Sequence, residues 1–233
     1  MDPTAPVDRA TVLAIHDALC AAYDAPFPFF STKDPTSELI SALLSHRTKN
    51  RFSGQAYKQL RERFPTWPEV RDAPTAAVEE ALAPCTWPEQ KAPRIQAVLR
   101  EIGERTDGTF DLYFLRDLPV PEARAWLESI TGVGPKTSAA TLLFSKLRIA
   151  ALPVDSHHQR VTQRLGWSPK KMGPGPAHGP LAALMPEGWD AQTVYDHHEA
   201  LMYHGQKCCY FQRPACERCP ILAWCPTGQA GGG

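Results

Sequence analysis

Four cysteines, Cys209, Cys216, Cys219 and Cys225, are separated by six, two and five residues. Four thiolates within seventeen residues can close around one metal centre, and both tetrahedral zinc and an iron–sulfur cluster satisfy them. Cys208 precedes the first of them, but only Cys209 keeps the six-residue gap. The chain has seven cysteines, an odd number, with five between Cys208 and Cys225, a usage that suits metal rather than disulfides. Cys20 and Cys85 read as buried small hydrophobes. A second chemical signal is Gly132-Val133-Gly134, followed directly by Pro135 and Lys136. An apolar helical end (Trp126, Leu127, Ile130) runs into it, and a second apolar helix (Ala139, Ala140, Leu142, Leu143, Leu147) starts after Lys136. Two helices therefore meet at a tight glycine hairpin, whose backbone N–H groups can converge with a helix N-terminus on one anion, above all a phosphate. Residues 131–148 hold Lys136, Lys146 and Arg148 and no acid, which favours a polyanion. Lys136 can neutralise that anion. It can also act as a nucleophile, since the positive end of a helix dipole disfavours an ammonium and brings the neutral amine within reach. Asp155, ahead of the helical segment SHHQRV, is at least an N-cap.

GVGPKT, then VDSH at 154–157, then the four-cysteine run, in that order, resemble the endonuclease III branch of the helix-hairpin-helix DNA glycosylases. The similarity extends over roughly residues 30–226. It implies a bifunctional DNA glycosylase and apurinic/apyrimidinic lyase of base excision repair, removing oxidised pyrimidines from duplex DNA that contains damaged bases or abasic sites. Lys136 occupies the family's nucleophile position, from which a neutral amine attacks C1′, displaces the base and forms a Schiff base that leads to β-elimination. Asp155 would both cap its helix and face the lysine across a cleft, stabilising positive charge on the sugar and taking protons from the amine. The cysteines Cys209, Cys216, Cys219 and Cys225 would hold a [4Fe-4S] cluster of structural role, presenting Lys207, Arg213 and Arg218 to the DNA backbone. Gly132, Val133 and Gly134 would grip a phosphate.

A flipped nucleotide leaves a void to be filled, and by position Arg47, Trp87 and His157 match the family's inserted residues. The family commonly has Gln where Arg47 stands and a small aliphatic residue where Trp87 stands, so substrate preference is where this chain departs. Trp87 reads equally well as a core residue. Two rival functions share the motifs. A monofunctional mismatch or damaged-base glycosylase of the same fold usually lacks a lysine at position 136. A non-catalytic helix-hairpin-helix DNA-binding protein has no use for the pair Lys136 and Asp155.

Lys plus Arg and Asp plus Glu are both 25 in 233 residues, an unexpected balance for a DNA binder, because phosphate neutralisation usually dominates affinity. The charges are segregated: residues 46–63 hold six Lys or Arg and one acid, whereas 101–128 hold seven acids and three bases. Such a surface can present one positive face at zero net charge. Residues 1–10 lack a basic start and an apolar run, and no segment approaches the roughly 18 apolar residues of a membrane span. A soluble, cytoplasmic, DNA-associated monomer is expected. The Gly-rich last four residues read as a tail.

The elements that must position these groups read as all-α. Helices are expected at 11–22, from Asp34 and Pro35 to about Ser45 with Leu39, Ile40, Leu43 and Leu44 on one face, and along Phe52, Ala56, Leu60 and Phe64. Others follow around 78–82, 95–102 and 123–130, after the hairpin, after Asp155, and at 191–204, stopping at Gly205. His197 and His198 read as residues of that last helix. The stretch 166–180, rich in Gly and Pro, reads as a loop. Phe27, Phe29, Phe30, Trp167 and Trp189 read as core or junction aromatics. The resemblance adds two lobes: a six-helix lobe at 30–147 with the hairpin, and a discontinuous cluster lobe from 1–29 and 148–233, the active site lying between them.

Overall fold

The computed structural model describes residues 7–231; part of the stretch read for a leader, and the end of the glycine tail, lie outside the described residues. Every regular element among the described residues is helical, and no helix is long and apolar enough to cross a membrane. The chain divides into two compact units, Ser31–Leu147 and a discontinuous one made of Met1–Phe30 with Arg148–Gly233.

The continuous unit contains α2 (Pro35–Ser45), α3 (Asn50–Arg63), α4 (Trp67–Asp72), α5 (Thr75–Ala81), α6 (Pro88–Arg105), α7 (Val120–Glu128) and α8 (Pro135–Phe144). Asp34 starts α2 by accepting the Ser37 N–H at 2.9 Å, with Pro35 in the first turn. Nine of its eleven residues are buried, as is every residue of α8 from Thr137 to Leu143. Helices covered on all sides belong at the centre of a unit. Accordingly α2 and α8 pack on each other, α3 and α6 cover α2, α7 covers α8, and α4 and α5 lie against α6. Leu39, Leu60, Ile95, Leu99 and Leu142 are fully enclosed, each worth about 1.5–3 kcal/mol of burial.

Two features of this unit differ from the sequence expectation. The short α4 exists because Thr66 and Glu69 form a reciprocal capping box, in which each side chain accepts the other's backbone N–H. Its six residues are too few to show a period. α6 begins seven residues before the apolar run that signals it, because Pro88 fills its first turn, where a missing N–H costs nothing.

The discontinuous unit contains α1 (Arg9–Ala22), α9 (Ser156–Arg164), α10 (Pro174–Ala183), α11 (Ala191–Lys207) and α12 (Pro226–Gln229). Asp8, Asp155 and Asp190 cap α1, α9 and α11 by accepting the N–H groups of Thr11, His158 and Thr193. α11 packs against α1 and α9, and α9 also meets α10 and α12. The Phe27 N–H on the Asp196 carboxylate (2.8 Å), and the Tyr23 hydroxyl with His204 Nδ1 (2.9 Å), tie the segment after α1 to α11.

Here two expectations need correction. The stretch read as a loop gives way at Pro174 to α10, which runs on to Ala183: Pro174 sits at its first position and Ala177, His178 and Leu181 turn inward, so that proline starts a helix rather than prevents one. α11 does not stop at Gly205 but runs on to Lys207. Gly205 serves packing, since a Cβ there would lie 2.7 Å from the Cβ and 3.2 Å from the Cα of His157 on α9. Of the aromatics read as core or junction residues, Phe30 is 62% exposed and is not core, whereas Phe29 packs at a tilt on buried Tyr195 and Trp167 is enclosed.

Candidate active site

In the continuous unit, α7 and α8 are joined by the glycine hairpin. Gly132 has φ +96°, a conformation that suits glycine, and its carbonyl takes the Arg94 guanidinium. The Thr131 N–H is held by Glu101 at 3.1 Å. Gly134 is the N-cap of α8 and supplies no capping side chain, and a Cβ on it would meet nothing within 4 Å. No side chain caps the first N–H groups of α8, the condition under which an anion can take that place. Lys136 is exposed at the second position of α8. Next to it, buried Thr137 places Oγ1 3.0 Å from His46 Nε2. Burial, then the cations Lys136, Arg94 and Lys91, push the His46 imidazole down to about 4, so it is neutral near pH 7.

Arg47 and Trp87 come together in the same unit. The Arg47 guanidinium carbon lies 5.9 Å from the centre of the Trp87 ring. Both are exposed and both adopt left-handed backbone, with φ 50° and 54°. Trp87, 45% exposed, is not a core residue, so that alternative reading fails. Beneath the pair lies Lys91, only 8% exposed, whose ammonium donates to Leu44 O (2.7 Å), His46 O (2.9 Å) and Thr48 Oγ1 (2.7 Å). The sequence reading passed over Lys91, although a lysine four residues before Ile95 stands on the apolar face of its helix.

In the discontinuous unit, Asp155 caps α9 through a 2.7 Å bond from the His158 N–H. Burial pushes its carboxyl up, but the imidazole of His198, the His158 N–H and the imidazoles of His158 and His157 outweigh this and hold it below the usual carboxylate range. His157, two residues on, places Nδ1 3.0 Å from Arg160. Arg160 also donates to Gly205 O (2.6 Å) and Cys209 O (2.9 Å). At the far end of α9, Arg164 donates to Cys209 Sγ (3.1 Å), Tyr210 O (2.6 Å) and Phe211 O (3.0 Å). One short helix thus carries Asp155 at its start and ties down the cysteine loop at its end. Neither arginine was singled out from sequence, where HQRVTQR reads as an ordinary polar face.

Cys209, Cys216, Cys219 and Cys225 line a single hollow with Val161, Leu165, Ile221 and Leu222. Cys209 Sγ receives the Arg164 donor, and Cys225 Sγ receives the Gly228 N–H at 3.4 Å. A Cβ at Gly228 would stand 2.7 Å from Leu222 Cδ1, with Cys225 Sγ and Cys216 Sγ at contact distance, so the sulfurs are closely packed on this side. Apolar walls and N–H donors aimed at sulfur fit thiolate-bound metal. Ligand atoms of His204, Cys208 and Cys219 lie within 4.8 Å of one another, a further Cys/His group able to hold an ion. Around this loop, Lys207 lies over Tyr203 at 4.6 Å, and exposed Arg218 donates to Lys207 O at 2.6 Å. Arg213 is exposed, with φ 51°.

Residues 40–183 match the HhH-GPD superfamily of base excision DNA repair proteins. The chain is 31% identical over 193 residues to the endonuclease III of Thermotoga maritima, covering 82% of this chain and 83% of that one. An Arabidopsis thaliana relative, 28% identical over 193 residues, is longer, and the alignment spans 64% of it. In fold, the chain is similar to the protein of a trapped endonuclease III–DNA covalent intermediate, with a TM-score of 0.78 at 21% identity over 96% of this chain and 98% of that one. A thermostable thymine-DNA glycosylase gives 0.76 at 20% identity over 95% and 98%. The glycine hairpin with its open helix N-terminus lies inside the matched span, and the chain belongs to the HhH-GPD superfamily of base excision DNA repair proteins, as an endonuclease III-like DNA glycosylase.

Proposed function

We propose that the protein is a bifunctional DNA glycosylase and apurinic/apyrimidinic lyase that removes oxidised pyrimidines from duplex DNA as a monomer. The observation that carries this reading is Lys136, exposed in the first turn of α8 directly after an uncapped hairpin. The open N–H groups at Gly134 and the start of α8 hold a backbone phosphate, aided by Gly132 and Val133. The neutral Lys136 amine attacks C1′ of the flipped nucleotide, and the C1′–N bond breaks as the base leaves. Protons released from the amine pass to Asp155, whose carboxylate is kept ionised by its N-cap bond and the surrounding imidazoles. Water is not the nucleophile; the C1′–O4′ bond then opens, the ring oxygen taking the proton held on Asp155, and the product is an iminium between Lys136 and C1′ of the opened sugar. Loss of a C2′ proton then breaks the C3′–O bond, and hydrolysis of the imine frees the lysine.

Arg47, Trp87 and His157 fill the vacated stack, and Lys207, Arg213 and Arg218 meet the phosphates. Cys209, Cys216, Cys219 and Cys225 hold a [4Fe-4S] cluster, which, when bound, cross-links the loop through four thiolates. The reading is tested by borohydride, which reduces the iminium to a permanent crosslink between protein and abasic DNA. Lys136→Gln is expected to abolish trapping and strand cleavage while duplex binding persists, because the hairpin donors are main-chain. Undiminished trapping by this variant sinks the assignment. Base release without trapping by the parent protein favours the monofunctional rival.

A further inference from the structure

Lys91 is a buried cation that no step above uses. Among the described residues it forms no ion pair, and its three acceptors are two main-chain carbonyls and a hydroxyl. Their placement is specific. His46 and Thr48 are the residues on either side of Arg47, and the Thr48 hydroxyl that meets Lys91 also receives the Thr86 N–H at 3.2 Å. Thr86 is the residue before Trp87. The main chain of Lys91 completes the tie, since its N–H donates to the Trp87 carbonyl at 3.2 Å. One residue therefore brackets both exposed left-handed positions, Arg47 through its side chain and Trp87 through Thr48 and its own backbone. Non-glycine residues persist in that conformation only where their surroundings over-determine it.

We propose that Lys91 is a positioning residue for lesion recognition: its ammonium locks Arg47 and Trp87 as one cation–π pair before DNA arrives. A long arginine and a large indole lose much conformational freedom when they enter a void in the duplex. If both backbones and the pair are already set, that loss is taken on folding rather than on binding. The same ammonium fixes the His46 carbonyl, and the His46 ring meets Thr137 beside Lys136. The filler pair and the nucleophile helix are thereby held in one register within this unit. This role rests on the reading of Arg47 and Trp87 as void fillers.

The closing experiment separates the two ideas. In the free protein, the fluorescence component of Trp87, taken as parent minus Trp87→Phe, is expected to become more accessible to acrylamide in Lys91→Met. No change in quenching overturns the lock, whatever the DNA results. With DNA, Lys91→Met is expected to weaken binding to a lesion duplex by about tenfold, and to undamaged duplex by less than about twofold. In a Trp87→Ala background, Lys91→Met is expected to add almost nothing. Equal loss on both duplexes, or full additivity with Trp87→Ala, overturns the proposal. If Trp87→Ala itself leaves lesion binding intact, the void-filling reading falls, and the positioning role for recognition falls with it. Should Lys91→Met not fold, Thr48→Val removes the shared hydroxyl alone and is held to the same outcomes at about threefold.

Discussion

Replacing Gly205 by alanine separates packing from helix propensity by the sign of its effect. Gly205 lies inside α11, where alanine is intrinsically better by about 1 kcal/mol. Against that gain, the new methyl would stand 2.7 Å from His157 Cβ, 3.2 Å from His157 Cα and 3.2 Å from the Arg160 guanidinium. Ordinary carbon contacts are about 3.5–4.0 Å, and neither the Cβ nor the Cα of His157 can swing aside. α9 would have to retreat by several tenths of an ångström, straining the Arg160 bond to Gly205 O. Overpacking of this kind costs about 1–3 kcal/mol, and the steep overlap puts this site at the upper end, so the net loss is about 1–2 kcal/mol. For a chain of 233 residues that lowers Tm by about 2–8 °C. Gly54 in α3 is the control: a Cβ there meets nothing within 4 Å, so Gly54→Ala should raise stability by about 1 kcal/mol. Thermal and urea unfolding of both variants, with base release measured alongside, checks the argument. Because Asp155 caps the displaced helix, Gly205→Ala should also slow base release while leaving binding of undamaged duplex unchanged. An increase in stability for Gly205→Ala matching that of Gly54→Ala would refute the reasoning.

Acid should destabilise the fold. Burial, with neighbouring positive or imidazole groups, holds His46 and His204 down at about 4 and His158 at about 3. Burial also holds His197 well below its ordinary value and His16 below it, so below about 6.5 the unfolded chain takes up at least four protons that the fold refuses, and stability is lost as pH falls from there toward 4. Glu199 opposes this, since burial, then Asp155 and Asp196, raise it to about 7, and its contribution declines as pH rises from about 4.5 to 7. The balance of about three protons gives up to roughly 4 kcal/mol per pH unit, and urea midpoints unchanged between pH 7 and 5 would contradict it. For the metal, the isolated protein should be brown, with broad absorbance near roughly 400 nm and about four irons per chain. Cys216→Ser should lose iron and Cys208→Ser should keep it. Finding one zinc and no iron in anaerobically prepared protein would exclude the cluster.

The helix caps and the glycine hairpin were legible in the sequence because their signals are local. Asp34 and Asp155 cap helices through bonds three residues away, and the hairpin needs only its glycines and the helix they open. What stayed hidden depends on partners distant in sequence or on backbone geometry without a residue signature. Gly205 looks like a helix stop until His157 is seen 2.7 Å from where its Cβ would be. Nothing in the residue type of Arg47 or Trp87 announces positive φ, and the carbonyls that occupy Lys91 lie more than forty residues earlier. The helix α10 was obscured by prolines and glycines that read as breakers in the middle of an element and as starters at its first turn. The capping box of α4 was readable, but its helix is shorter than any window in which periodicity can be counted.

The discontinuous unit also has a consequence for the order in which the molecule folds. α1 packs on α11, and the bonds that secure this contact join Tyr23 to His204 and Phe27 to Asp196, pairs separated by 181 and 169 residues. The stretch Ser31–Leu147 closes on itself and can fold as soon as it leaves the ribosome. α1, made first, must meanwhile carry Val12, Ile15 and Leu19 uncovered until α11 is synthesised. At about 5–20 residues per second this wait lasts on the order of ten seconds or more. The first helix is therefore the segment most open to chaperones and to misassembly during synthesis.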